Sequence, residues 1–256
     1  MTTLVNGILG YPLKKPRSIS IWRNYFKKKG LKATMKKFEV KPISLNNFFS
    51  NIKKMREFKA TAVTMPYKIS VIKYMHDLDS YAQKAKSVNL IIKKNKKLIG
   101  FNTDVYGAYE SIKKIIPKYK LIIIIGLGGT GSAIFNFLKK KRKKNEFIII
   151  TSKKPKNMRN VLFKKKLDEK ILSKKSLIIN CTPLGSDLSK NYLKKSPIKK
   201  SLVKKINKDS TIFDVIYSPK KTILSKLLKE KKIKYLNGIL MNTLQAKKAL
   251  SLAFEN

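Results

Sequence analysis

Lys68 closes the run Thr61-Ala62-Val63-Thr64-Met65-Pro66-Tyr67-Lys68, and Asp104 closes Gly100-Phe101-Asn102-Thr103-Asp104. An ammonium beside a pocket supplies charge or, when desolvated, carries a proton. An acid at a helix start is by itself an ordinary N-cap, and spacing alone does not bring the two groups together. Gly126-Leu127-Gly128-Gly129-Thr130-Gly131 has the G-x-G-x-x-G spacing, with apolar Leu121 to Ile125 before it and a helical pattern after it. Small residues let a backbone turn tightly and approach a pyrophosphate, whose charge the helix N-terminus then meets. That context predicts dinucleotide binding at Gly126, Gly128, Gly129 and Gly131. The next strand ends Ile150-Thr151-Ser152-Lys153-Lys154, without the acid that an NAD enzyme presents to the ribose 2′-hydroxyl, and Glu146 lies at its wrong end. Hydroxyls and ammonium groups at Thr151, Ser152 and Lys153 suit a 2′-phosphate, so NADP is the expected cofactor, although in so Lys-rich a chain the lysines also read as ordinary surface residues.

The elements that must position these groups alternate. Leu4 to Leu9, Thr34 to Val40 and Lys59 to Thr64 read as strands, with helices over Ser20 to Lys28, Leu45 to Met55 and Lys68 to Tyr74. Val88 to Ile92 and Lys97 to Ile99 form a hairpin turning at Lys94-Asn95, and Asp104 caps a helix that Pro117 stops near Ile116. Leu121 to Ile125, Phe147 to Thr151, Leu177 to Cys181 and Thr211 to Val215 are nearly all-apolar strands, with helices at Gly131 to Lys141 and, last, Ile239 to Phe254. Such strands separated by helices indicate an α/β fold with a parallel sheet covered on both faces.

Composition narrows the class. The chain has 256 residues, 43% of them hydrophobic, with 60 Lys+Arg against 14 Asp+Glu and a formal net charge of +46. That apolar content sustains a packed core, against disorder. A single cysteine, Cys181, excludes an internal disulfide or a multi-cysteine zinc site, and a single histidine, His76, excludes a histidine cluster. No apolar run approaches the ~18 residues that span a bilayer, and no basic segment followed by a long apolar one opens the chain. No membrane contact and a cytoplasmic location are therefore expected. Only five of the 60 basic residues are Arg, and lysines run through every segment. Nucleic-acid contact is expected to be nonspecific at most, and the oligomeric state, monomer or homodimer, stays open.

The motifs in their order resemble the shikimate dehydrogenase family over nearly the whole chain. Its N-V-T-x-P-[FY]-K segment is matched by Ala62 to Lys68, its G-x-N-T-D-x-x-G by Gly100 to Gly107, and its A-V-N-T by Ser87 to Leu90. N-A-T-P-x-G corresponds to Asn180 to Gly185, D-x-x-Y-x-P-x-x-T-x-L to Asp214 to Leu224, and G-x-x-M-x-x-x-Q to Gly238, Met241 and Gln245. The resemblance implies a substrate domain over 1–103 with 238–256, a Rossmann-like, doubly wound NADP domain over 104–237, and a cleft between them. It implies reversible NADPH-dependent reduction of 3-dehydroshikimate to shikimate, in chorismate and aromatic amino acid biosynthesis. Lys68 and Asp104 become the catalytic pair; Ser18, Thr64, Asn89, Tyr217 and Gln245 become substrate residues, and Gly238 joins the cofactor set. A quinate/shikimate-type enzyme, or a degenerate relative retained for binding, is the alternative. The family's H-S-x-S-P reads Lys15-Pro16-Arg17-Ser18-Ile19, Ala62 replaces an Asn, Leu90 a Thr, and N-R-T becomes Thr151-Ser152-Lys153.

Overall fold

A computed structural model describes residues 2–13, 16–142, 144–152 and 161–255. The chain divides into two compact units, Met1–Tyr106 with Leu244–Asn256, and Gly107–Thr243. In chain order the first holds β1 (Leu4–Gly10), α1 (Ser18–Lys28), β2 (Ala33–Glu39), α2 (Leu45–Lys54), β3 (Phe58–Val63), β4 (Asp77–Leu78), α3 (Ser80–Ala85), β5 (Leu90–Lys94) and β6 (Lys97–Phe101). Helix α4 (Asp104–Ile112) carries the first division. The second unit follows with β7 (Leu121–Ile125), α5 (Gly129–Lys141), β8 (Glu146–Ile150), β9 (Val161–Lys164), α6 (Glu169–Leu172) and β10 (Ser176–Asn180). It continues with α7 (Lys190–Leu193), α8 (Lys200–Val203), β11 (Thr211–Asp214), α9 (Ile223–Glu230) and β12 (Lys234–Leu236), and α10 (Ile239–Phe254) carries the second division.

The first sheet has the order β2-β1-β3-β5-β6-β4. It is mixed, because β5 pairs antiparallel with both β3 and β6. The strand period of two sorts its side chains. Leu9, Val63, Ile91 and Leu98 face Leu45, Phe49 and Ile52 of α2, whereas Ile8, Ala60, Leu90 and Ile92 face Trp22 and Phe26 of α1 and Ala249, Leu250 and Ala253 of α10. Those helical residues recur at three- and four-residue spacing, which puts them on one stripe.

In the second unit the order β12-β11-β10-β7-β8-β9 is parallel throughout. Ile122 and Ile124 of β7 join one apolar cluster with Phe147, Ile149, Leu177 and Ile179, while Leu121, Ile123 and Ile125 join a second with Ile148, Ile150 and Ile178. An isoleucine-rich strand buried on both faces needs helices over both, and α5 covers one of them with Ile134, Phe135 and Leu138. Starting from β7 the chain runs outward to β9, then returns to β10 on the other side. This reversal of strand order opens a crevice at the strands' C-terminal ends.

Four local readings need correction. Lys68 to Tyr74 is not an α-helix: the chain turns and then forms a 3-10 helix over Ser70–Tyr74. The Lys68 carbonyl accepts from the Val88 N–H at 2.7 Å, which diverts it from a helical ladder. The hairpin turns at Asn95-Lys96, both left-handed with φ of 47° and 63°, as a two-residue loop of this hand requires. Asp104 is the first residue of α4, and its carboxylate is engaged by side chains from elsewhere. That helix ends at Ile112, with Pro117 inside a separate 3-10 turn over Ile116–Lys118.

Candidate active site

Three strand ends meet in the first unit. The Val63 N–H donates to the Asn89 carbonyl at 2.8 Å, and the Asn89 N–H to the Phe101 carbonyl at 2.9 Å, so the end of β3, the start of β5 and the end of β6 lie side by side. The loops leaving β3 and β6 therefore emerge together, and the Val88 bond to Lys68 pins the first of them. As a result Lys68 Nζ donates to Asp104 Oδ2 at 2.6 Å although 36 residues separate the two. The side chains are 19% and 10% exposed, so the pair is sheltered yet reachable at one edge. A pair so desolvated is weak in stability terms, and its worth lies in holding a charge at a fixed place.

Asn89 organises the other side of the carboxylate. Its Nδ2 donates to Asp104 Oδ1 at 3.0 Å and to Thr103 Oγ1 at 2.9 Å, with Gln245 Oε1 at 3.4 Å, while its Oδ1 accepts from the Thr103 N–H at 2.7 Å. The Thr103 hydroxyl donates to Gln245 Oε1 at 3.1 Å. Thr103, to which the motif reading gave no role, thus links Asn89 to α10; the only signal for it was its place between Asn102 and Asp104. Asn102 supports the turn from beneath, donating to the Ser87 carbonyl at 2.9 Å and accepting from the Val105 N–H at 3.4 Å.

Lys68, Asn89, Asp104 and Gln245 are therefore brought together, and Ser18 and Thr64 are not part of that hydrogen-bonded cluster among the described residues. Thr64 is half-buried just past β3, with its N–H bonded to the Leu9 carbonyl at 2.9 Å. Ser18 is the first residue of α1, preceded by Pro16 and Arg17, and Lys15 lies outside the described residues. Two departures from the family pattern have packing reasons: Leu90 is 0% exposed in the core under α1 and α10, and Ala62 packs against the same cluster. Apolar residues suit those positions because the sheet buries them.

In the second unit the glycine turn has the shape a pyrophosphate needs. Gly126 has φ of +92°, and a Cβ there would lie 2.8 Å from Thr182 Cγ2. A Cβ on Gly131 would lie 2.1 Å from the Gly126 carbonyl, so only glycine lets α5 pack against the strand end. At Gly128, by contrast, nothing lies within 4 Å of the added atom. The turn is tight where the backbone must fold and open where a ligand approaches, which is the division of labour in dinucleotide sites. Helix α5 starts at Gly129, two residues ahead of the sequence expectation, so its first turn and its positive dipole end lie directly beyond Gly128. A pocket of about 280 Å³ runs from Gly126 and Gly128 past Thr182 to Thr151, Ser152 and Lys165. Lys153 lies outside the described residues. Gly238 has a close-packing reason, since a Cβ would lie 2.1 Å from the Val215 carbonyl, and Tyr217 is half-buried in the segment after β11.

Beneath this pocket Asp214 is fully buried. It accepts from Asn180 Nδ2 at 2.9 Å, the Ile216 N–H at 3.1 Å and the Tyr235 hydroxyl at 3.0 Å. Burial pushes its carboxyl up to about 6 despite these bonds, and burial, followed by that carboxylate, raises the Tyr235 hydroxyl. Asn180 Oδ1 accepts in turn from the Thr182 N–H and hydroxyl at 3.0 and 2.7 Å. The network therefore stiffens the segment that forms one wall of the pocket.

Comparison with known proteins identifies the family. A family model described as the shikimate dehydrogenase substrate binding domain matches residues 8–91. A shikimate dehydrogenase (NADP(+)) of Clostridium botulinum is 33% identical over 254 residues, covering 96% of this chain and 95% of its own. A protein of the same name from Methanococcus aeolicus is 30% identical, covering 98% and 91%. The crystal structure of shikimate dehydrogenase from Aquifex aeolicus superposes with a TM-score of 0.85 at 27% identity, over 99% of this chain and 93% of that one.

Proposed function

The chain belongs to the shikimate dehydrogenase family, and we propose that it catalyses the reversible NADPH-dependent reduction of 3-dehydroshikimate to shikimate. The observation that carries this reading is the Lys68–Asp104 contact of 2.6 Å, with Asn89 and Gln245 bonded around it. On this reading the first unit holds the substrate and the second the cofactor.

A nicotinamide held by the second unit would supply the hydride for the carbonyl carbon, and this chain's own residues handle the charge on oxygen. Lys68 does so, because its ammonium stabilises the developing alkoxide and gives it a proton, completing the C–H and O–H bonds of the alcohol. Being 19% exposed, its side chain then regains a proton from solvent. In the oxidative direction Lys68 as free amine takes the hydroxyl proton. Asp104 holds Lys68 in place and, with Asn89, binds the adjacent hydroxyl. The Thr103 hydroxyl anchors Gln245 Oε1, which frees Nε2 of that side chain to donate to a substrate oxygen. A ring bearing several hydroxyls needs these directional partners, because each one buried unpaired costs ~1 to 3 kcal/mol. Thr64, just past β3 in the same unit, adds a further hydroxyl contact. Ser18, at the start of α1, takes the carboxylate, with basic Arg17 beside it in place of the second family hydroxyl.

In the cofactor unit Gly126, Gly128, Gly129 and Gly131 receive the pyrophosphate, Thr151, Ser152 and Lys153 the ribose end, and Gly238 the nicotinamide end. The open space at Gly128 supports a pyrophosphate there, and the absence of an acid among the described residues lining the pocket supports NADP. This activity places the protein in aromatic amino acid biosynthesis. The test is direct: purified protein with shikimate and NADP forms NADPH, and quinate in its place reacts more slowly. No NADPH formation with shikimate overturns the reading, and faster reaction with quinate reassigns the substrate.

A further inference from the structure

In dinucleotide folds the cation that selects NADP over NAD is expected at the end of the strand after the glycine turn, here β8, which meets the adenosine ribose. The strand beside it supplies another. Strands β8 and β9 run parallel with Ile150 opposite Lys164, and the Thr151 N–H donates to the Lys164 carbonyl at 3.0 Å. Their C-terminal ends therefore leave the sheet together, and Lys165 emerges beside Thr151 and Ser152 as part of the pocket wall that begins at the glycine turn.

Its neighbours are spoken for. Lys164 donates to Asp168 Oδ2 at 2.7 Å, and Asp168 Oδ1 accepts from the Ile171 N–H at 2.9 Å as the N-cap of α6. The nearest acid along the chain is thus committed to Lys164 and to the helix. Lys165 is exposed and has no ion-pair partner among the described residues. With the pyrophosphate at Gly128, the ribose end of the cofactor meets the pocket wall away from the glycine turn, which among the described residues offers the hydroxyls of Thr151 and Ser152 and the Lys165 ammonium. A phosphate dianion there gains a charge-assisted hydrogen bond that a 2′-hydroxyl does not offer.

We propose that Lys165 is a specificity-determining residue, holding the 2′-phosphate of NADP together with Thr151 and Ser152. The inference rests on the NADP-dependent reading above and adds to it the residue that enforces the cofactor choice. The adjacent strand thereby adds a charge to the one that Lys153 offers after β8, where the family's N-R-T is not kept.

The test is equilibrium binding of adenosine 2′,5′-bisphosphate and of adenosine 5′-monophosphate, by calorimetry at constant salt. The proteins are wild type, Lys165→Gln, Lys165→Arg and, as control, Lys166→Gln, an exposed lysine outside the pocket. Lys165→Gln is expected to weaken the bisphosphate about tenfold and leave the monophosphate unchanged, with Lys165→Arg restoring binding and Lys166→Gln without effect. Equal small losses in Lys165→Gln and Lys166→Gln would overturn the proposal, because the overall charge and not a site would then be acting. Equal losses for both ligands would overturn it as well. In both cases a wild-type preference for the bisphosphate leaves the NADP reading standing, whereas a wild type with no such preference refutes both.

Discussion

Replacing Asp214 with Asn is expected to remove a definite part of the pH dependence of stability. The carboxyl is 0% exposed and stands at about 6 against an ordinary 3.8, because burial outweighs the hydrogen bonds from Ile216, Asn180 and Tyr235. In the folded chain it keeps its proton until about pH 6, whereas the unfolded chain releases it above 3.8. Between those values the folded state binds more protons, so the contribution of Asp214 falls as pH rises through the window and is level above it. At about 1.4 kcal/mol for each tenfold, the interval from 3.8 to about 6 is worth about 3 kcal/mol. Asparagine is neutral throughout and has no such slope. Urea unfolding of both proteins, followed by circular dichroism at several pH values from about 4 to about 7, isolates the effect, because every other titrating group cancels in the difference. Wild type should lose about 2 kcal/mol relative to the variant across that range, the rest of the interval lying below about pH 4. Parallel stability curves would show that Asp214 ionises in the fold as it does in water, and would refute the role given to desolvation.

The glycine turn gives a paired expectation. Gly131→Ala, whose Cβ would lie 2.1 Å from the Gly126 carbonyl, should lower the melting temperature, at a cost of about 1 to 3 kcal/mol or more. Gly128→Ala, with nothing within 4 Å, should melt like wild type and lose NADPH binding in a fluorescence titration; equal melting losses would contradict the division of roles. Asn89→Ala leaves the buried Thr103 N–H without its acceptor and should cost about 1 to 3 kcal/mol in urea unfolding, together with a raised KM for shikimate. A change in neither quantity would remove Asn89 from the site.

The strands of the second unit are legible in the sequence because Leu121 to Ile125 and Leu177 to Ile179 are apolar on both faces, a pattern few other elements share. The glycine turn is legible for a related reason, since Gly126 and Gly131 each answer a local steric demand. Lys68 to Tyr74 reads as a helix and is not one, because its fate depends on one long-range bond, from Val88 to the Lys68 carbonyl, that no local propensity encodes. The convergence of Lys68 with Asp104 is hidden in the same way: it follows from the pairing of β5 with β3 and β6, and only the family's motif order points to it. Strand β9 and Lys165 leave little trace because Val161 to Lys164 is short and half-exposed, and one lysine in a chain with 60 basic residues carries no signal until its neighbours are known.

Whether the Lys68 ammonium serves the reacting oxygen is tested most directly by Lys68→Ala, with turnover and cofactor binding measured on the same protein. The expected result is a fall in kcat for NADP-linked shikimate oxidation of roughly 10² to 10⁴-fold, with NADPH binding unchanged. Wild-type turnover in that variant would contradict the assignment.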